Sequence, residues 1–112
     1  MKNLKKIINA LDKEGFSVYV DKNCGDITIG KYSPEGQDFS FTVDMPETPQ
    51  QLFDEIFDYY DGFDASYEAY LWLDNTGHGT NGAPYDMGDV YDDMKACEQY
   101  IKDAAEIVRE YI

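Results

Sequence analysis

A chain of 112 residues with 23 acidic and 9 basic side chains carries a net charge of −14; 43% of its residues are hydrophobic and seventeen are aromatic. That length fits one domain, residues 1–112, with a modest core, and so many aromatics exclude an intrinsically disordered acidic chain. The charge excludes direct binding to nucleic acid or to an anionic lipid surface, and no apolar run approaches the roughly 20 residues that span a bilayer.

From Asn3 to Glu14 the apolar residues Leu4, Ile7, Ile8 and Leu11 follow i, i+3, i+4, i+7, which predicts a helix with one buried stripe, closed by Gly15. After the basic opening, Asn9, Asp12, Lys13 and Glu14 interrupt any apolar h-region, so no signal peptide is expected there. Phe16 to Val20 alternates as a first strand. Asp26 to Tyr32 is a second, with Ile27 and Ile29 inward. The turn Ser33-Pro34-Glu35-Gly36 leads into a third, Gln37 to Asp44, with Phe39, Phe41 and Val43 on its inner face. Thr48-Pro49 starts a second helix by a capping hydroxyl and a proline at the first helical position. Leu52, Phe53, Ile56, Phe57 and Tyr60 form its buried face, and Asp61-Gly62 closes it. Ser66 to Asp74 alternates again, Tyr67, Ala69, Leu71 and Leu73 against Glu68, Tyr70 and Trp72, and reads as a fourth strand. Asn75 to Pro84 is a glycine-rich loop. A last helix runs from about Met87 to Tyr111, with Val90, Met94, Cys97, Ile101, Ala104, Val108 and Tyr111 stepping 4, 3, 4, 3, 4, 3 as a heptad seam. At 1.5 Å per residue it spans roughly 37 Å, enough to lie across the sheet or to meet a second copy. The expected fold is α+β in the order α-β-β-β-α-β-α, a four-stranded, mostly antiparallel sheet with helices on one face.

Motifs for chemistry do not hold together. His78-Gly79-Thr80 resembles the histidine motif of subtilisin-like proteases over three residues, but none of Ser17, Ser33, Ser40 and Ser66 sits in a glycine-rich nucleophile turn. Gly77-His78-Gly79-Thr80-Asn81-Gly82 fits GxGxxG, yet Pro84 and Asp86 push the helix start downstream and put carboxylates where a pyrophosphate would sit. Asp21 to Asp26 opens like a calcium loop, but its glycine falls at the fifth position and Tyr32 takes the bidentate one. Neither an enzyme nor a metal or other cofactor is expected. Cys24 and Cys97 show no CxxC spacing, which fits a reducing, cytoplasmic location.

The charge is unevenly placed. Between Tyr32 and Met94 there is no lysine or arginine, yet fifteen acids run from Glu35 to Asp93. Asp54, Asp58 and Asp61 follow i, i+4, i+7 and form one helical stripe, neighbours about 5–6 Å apart. Asp86, Asp89, Asp92 and Asp93 open the last helix, where the macrodipole favours carboxylates. Asp58 and Asp61 lie at the opposite, unfavourable end of theirs. Tyr70 and Trp72 share the outer face of the expected fourth strand with Glu68, an arrangement that suits anchoring a basic partner; the equal alternative is a strand covered on both sides, with Trp72 in the core.

Gln37-Asp38-Phe39-Ser40-Phe41-Thr42-Val43, followed by Gly77-x-Gly79-x-x-Gly82-Ala83-Pro84 and a long acidic helix, resembles a group of small uncharacterised acidic proteins from gut bacterial mobile elements and plasmids, over roughly residues 16–112. The resemblance implies a mobile-DNA context, in which inhibitors of nucleases occur, and no site residues. The composition is similar to that of phage antirestriction proteins that imitate DNA, although no motif is shared. The order α-β-β-β-α is that of a double-stranded RNA-binding domain, whose lysine-rich phosphate grip is replaced here by Asp54 and Glu55. The expectation is a non-enzymatic acidic protein whose Asp54, Asp58, Asp61, Asp86, Asp89, Asp92, Asp93, Tyr70 and Trp72 engage a basic nucleic-acid-binding protein by DNA mimicry. The alternative is a self-associating accessory protein, a homodimer through the heptad seam or the Tyr70 and Trp72 face, whose acidity serves solubility.

Overall fold

The Leu4, Ile7, Ile8, Leu11 stripe forms helix α1 (Leu4–Lys13), with Ile7 and Leu11 fully buried. Gly15, at φ +90°, turns the chain in the left-handed region that glycine adopts without strain, and the Phe16 N–H donates to the Leu11 carbonyl at 3.0 Å. The computed structural model describes residues 3–71 and 87–112. Strands β1 (Ser17–Asp21), β2 (Asp26–Tyr32) and β3 (Asp38–Asp44) follow, then helices α2 (Pro49–Gly62), α3 (Ala65–Leu71) and α4 (Met87–Arg109).

The sheet is antiparallel in the order β1-β2-β3, with Val18 opposite Ile29, Val20 opposite Ile27, Ile27 opposite Val43 and Ile29 opposite Phe41. Period-two alternation puts Ile27, Ile29, Phe39, Phe41 and Val43 on one buried face. The other face shows water Tyr19, Ser40 and Thr42, and the Thr28 and Thr42 hydroxyls hydrogen-bond across the strands at 2.9 Å. Lys31 occupies the inner register opposite Phe39. Its Nζ lies 4.8 Å from the ring centres of both Phe16 and Tyr100 and donates to the Glu14 carbonyl at 3.0 Å, so the stem covers apolar surface while the ammonium stays solvated.

Helix α2 starts as its sequence dictates. The Thr48 hydroxyl accepts the Gln51 N–H at 3.1 Å, Pro49 follows, and Gln51 Oε1 accepts the Glu47 N–H at 2.6 Å. Leu52 and Ile56 are buried, and Tyr59 stacks on Phe41 with ring centres 5.0 Å apart, which fastens α2 to the sheet. Phe63 meets Phe39 edge-on at 5.9 Å.

The expected fourth strand over Ser66–Asp74 is helical instead as far as Leu71, and its last three residues lie outside the described residues. Asp64 caps this helix, its Oδ1 accepting the Ser66 N–H at 3.0 Å and the Tyr67 N–H at 3.3 Å. Ala65 and Ala69, four apart, make the buried stripe. Two alanines on one face let α3 lie close against α4 and carry the highest helix propensity. Among the described residues the sheet therefore has three strands and the order is α-β-β-β-α-α-α. The expected loop from Asn75 to Pro84 also lies outside the described residues.

In α4 the seam Val90, Met94, Cys97, Ile101, Ala104 and Val108 is fully buried within the chain, among the core side chains of α1, α2, α3 and the sheet. Burial of each large member contributes on the order of 1.5–3 kcal/mol. The seam is thus consumed by the fold and does not offer itself to a second copy.

Candidate interaction surface

Helix α2 presents a row of acids to solvent. Asp54, Asp58 and Asp61 are all exposed, and only Asp54 has a side-chain partner among the described residues, Gln50 Nε2 at 2.9 Å. Beside them runs an aromatic ridge in which Phe53 stacks on Phe57 at 5.7 Å and Phe57 contacts Tyr60 at 5.8 Å. The last turn of α2 holds no basic residue, so nothing within that turn offsets Asp58 and Asp61 at the negative end of the helix. Between described residues one ion pair forms, Lys95 with Glu98 at 2.8 Å, an exposed and a half-buried side chain on α4.

Helix α3 follows α2 directly in the chain. Opposite its alanine stripe it exposes Tyr67 (60%), Tyr70 (69%) and Leu71 (53%), which share one helical face. Tyr70 is therefore exposed as expected, but on a helix rather than a strand. Trp72 and Asp86 lie outside the described residues. Glu68 points between α3 and its support, where burial and then the Asp64 charge push its carboxyl above the usual range. Tyr59 beneath it is raised by burial and then by Glu68.

Asp93 does not belong to the surface. It is 3% exposed, and its Oδ2 accepts the Ser33 hydroxyl at 2.5 Å and Gln37 Nε2 at 2.7 Å, while Oδ1 accepts the Glu35 N–H at 3.1 Å. The Ser33 Oγ in turn accepts the Gln37 N–H at 2.9 Å. A buried carboxylate needs such donors, and the turn between β2 and β3 supplies them: Gly36 at φ +86° folds it so that its polar groups converge on α4. Asp93 is thus a latch between hairpin and helix, and a partner cannot reach it. Gln37 Oε1 stays buried without a hydrogen-bond partner. Asp89 and Asp92 are exposed and border, with Pro34, Glu35 and Asp93, an indentation of about 150 Å³.

Acid also covers the outer sheet face, where Asp21, Asp26 and Asp44 lie side by side in register and Asp38 stands opposite Tyr32. Like charges so placed destabilise the ladder. Asp21 is eased by hydrogen bonds from the Cys24 N–H, the Cys24 thiol and the Asn23 N–H, which hold it below the ordinary carboxylate range. The acids therefore occupy at least two sides of the molecule and do not merge into one strip.

Comparison of the chain with family models, with curated proteins and with solved structures finds no match. Among the described residues no group of three or more histidine, cysteine, aspartate or glutamate side chains is arranged to hold a metal ion, and no helix is long and apolar enough to cross a membrane. Sequence reasoning missed Phe57, Tyr67 and Leu71 as exposed apolar positions. Spacing of three and four around Tyr67, Tyr70 and Leu71 was the signal available.

Proposed function

We propose that this is a non-enzymatic interaction protein whose α2–α3 surface binds a basic groove on a nucleic-acid-binding protein and competes there with DNA. The observation that carries this reading is the pair Asp58 and Asp61, exposed at the unfavourable end of α2, whose last turn holds no basic residue, next to Phe57 and followed in the chain by the exposed Tyr67, Tyr70 and Leu71. Helix-dipole and i, i+4 repulsion make those carboxylates costly to the fold, so a gain elsewhere has to maintain them. Their spacing is comparable with that of successive phosphates, and exposed aromatics next to them supply the desolvated anchors that charge alone lacks. Asp54, Asp89 and Asp92 extend the field, and Asp93 acts only by holding the hairpin.

The test is capture of heparin-binding proteins on the immobilised chain, with duplex DNA as competitor, using wild type and the triple variant Asp54→Asn, Asp58→Asn, Asp61→Asn. The expected result is capture that duplex DNA displaces, that fades as salt shortens the screening length to about 8 Å at physiological strength, and that the triple variant loses. Unfolding measurements on Asp58→Asn with Asp61→Asn should show a gain of a few tenths of a kcal/mol over wild type. Equal capture by wild type and triple variant, or indifference to DNA, overturns the proposal.

A further inference from the structure

Between α1 and the last turns of α4 lies an open cleft of about 440 Å³ with Ala10, Ile107 and Tyr111 at its base and Lys6 and Lys13 on its α1 wall. Its size falls within the roughly 300–1,000 Å³ of ordinary binding clefts. Lys6, Asn9, Ala10 and Lys13 follow i, i+3, i+4, i+7 and so line one face of α1, the basic element of an otherwise acidic molecule. Neither lysine has an ion-pair partner among the described residues. Glu14 and Glu110 also line the cleft, so its two lysines stand among two carboxylates.

An exposed aromatic face lies on α3. Tyr67, Tyr70 and Leu71 project from a short helix whose approach carries Asp61 and Asp64. This knob cannot fill the cleft of its own molecule, because α3 packs beside the Cys97 region of α4, where the Glu68 charge reaches the thiol. The cleft lies ten or more residues further along α4, about 15 Å at 1.5 Å per residue. We propose that the occupant is a second copy of this chain, docking head to tail: Tyr70 of one molecule enters the α1–α4 cleft of the next, over Ile107 and against Lys13, while Asp61 and Asp64 face Lys6 and Lys13. The phenol brings a large rigid surface and a ring face that attracts an ammonium. Each molecule keeps one free knob and one free cleft, so the contact is heterologous and propagates. It uses surfaces other than the buried α4 seam and stands whether or not a basic partner exists, although it would cover part of the α2–α3 surface.

The salt response separates the two. Two molecules of charge −14 repel strongly at about 0.01 M salt, where the screening length is about 30 Å, and far less at about 0.15 M, where it is about 8 Å. Self-association should therefore strengthen over a range in which capture of a basic partner weakens.

Sedimentation velocity on the full chain, from micromolar to near-millimolar concentration, is the measurement. Wild type should show a sedimentation coefficient that rises with concentration at about 0.15 M salt. Tyr70→Ala, and separately Lys6→Glu with Lys13→Glu, should each lower the association constant by at least about tenfold, as truncation of an interface anchor does. Mixing the two variants leaves one intact knob and one intact cleft, so the mixture should form 1:1 dimers and stop there. Lys5→Glu with Lys22→Glu changes the net charge equally, outside the cleft, and should associate as the Lys6, Lys13 variant does not. Wild type that stays monomeric throughout, variants that associate like wild type, or a mixture that does not pair overturns the proposal; the capture experiment above is read independently of all three.

Discussion

Replacing Asp93 with alanine removes the acceptor for two donors that have nowhere else to go. Ser33 is 5% exposed and Gln37 is fully buried, so the Ser33 O–H and one Gln37 Nε2–H are left unpaired inside the protein. An orphaned buried donor costs about 1–3 kcal/mol, which gives about 2–6 kcal/mol for the pair. The Glu35 N–H, in a half-buried position, turns to water at little cost. Losing the desolvation penalty of a buried carboxylate offsets part of the total, so the expected loss is about 3 kcal/mol. With a urea slope of about 1–3 kcal/mol per molar, the midpoint falls by about 1–3 M with the slope unchanged. Asp93→Asn is the discriminating partner. The asparagine oxygen takes the Oδ2 position and still accepts the Ser33 O–H and the Gln37 Nε2–H, while its amide nitrogen displaces only the half-buried Glu35 N–H, which turns to water. Its cost should be about 1 kcal/mol. Equilibrium unfolding in urea, followed by circular dichroism, measures both. Asp93→Ala within about 0.5 kcal/mol of wild type would place Asp93 among ordinary surface acids, and Asp93→Asn as damaging as Asp93→Ala would refute the idea that one acceptor oxygen is what the two buried donors need.

Cys24 is exposed and Cys97 is buried, so a thiol reagent near neutral pH should modify one cysteine in the folded chain and both in denaturant; equal rates would contradict the fold of α4. Burial, then the Asp93 and Glu68 charges, push the Cys97 thiol up to about 12. The unfolded thiol loses its proton near about 8.5, so between about pH 8.5 and 12 the folded chain binds more protons and stability falls as pH rises, by at most about 1.4 kcal/mol per pH unit from this group. Cys97→Ala should flatten that slope, as seen in urea midpoints across the range. Because acids lie side by side on the sheet and on α2 with one ion pair among the described residues, the melting temperature should rise as salt goes from about 0.01 M to about 0.15 M; a melting temperature that falls or stays level would show that self-repulsion is unimportant.

The periodic elements were legible because each buries a single stripe. Ile7 and Leu11 in α1, Phe39, Phe41 and Val43 in β3, Leu52 and Ile56 in α2 and the α4 seam are all buried where their spacing puts them. Over Ser66–Asp74 the same reasoning misled, because Tyr67, Ala69 and Leu71 satisfy period two while Ala65 and Ala69 satisfy a helical step of four. Extending the window back to Asp64 would have revealed the cap and the first alanine. At Asp93 the helix position spoke and the charge drowned it: three residues after Val90 and four before Cys97, it sits on the buried flank of the seam. Its donors Ser33 and Gln37 come from 60 and 56 residues away, and no local pattern announces such a meeting. Exposure of Asp54, Asp58 and Asp61 followed directly from the apolar stripe on the other side of α2.

That long separation also sets an order of events in time. The three strands pair through neighbours joined by short turns, whereas the bonds at Asp93 close a loop of more than fifty residues and are paid in chain entropy before they return anything. The hairpins can therefore form first and the latch last, after α4 has docked. Substitutions at Asp93 should then act chiefly on the rate of unfolding and leave the rate of folding nearly unchanged. The latch governs how long the native molecule lasts more than how quickly it is reached.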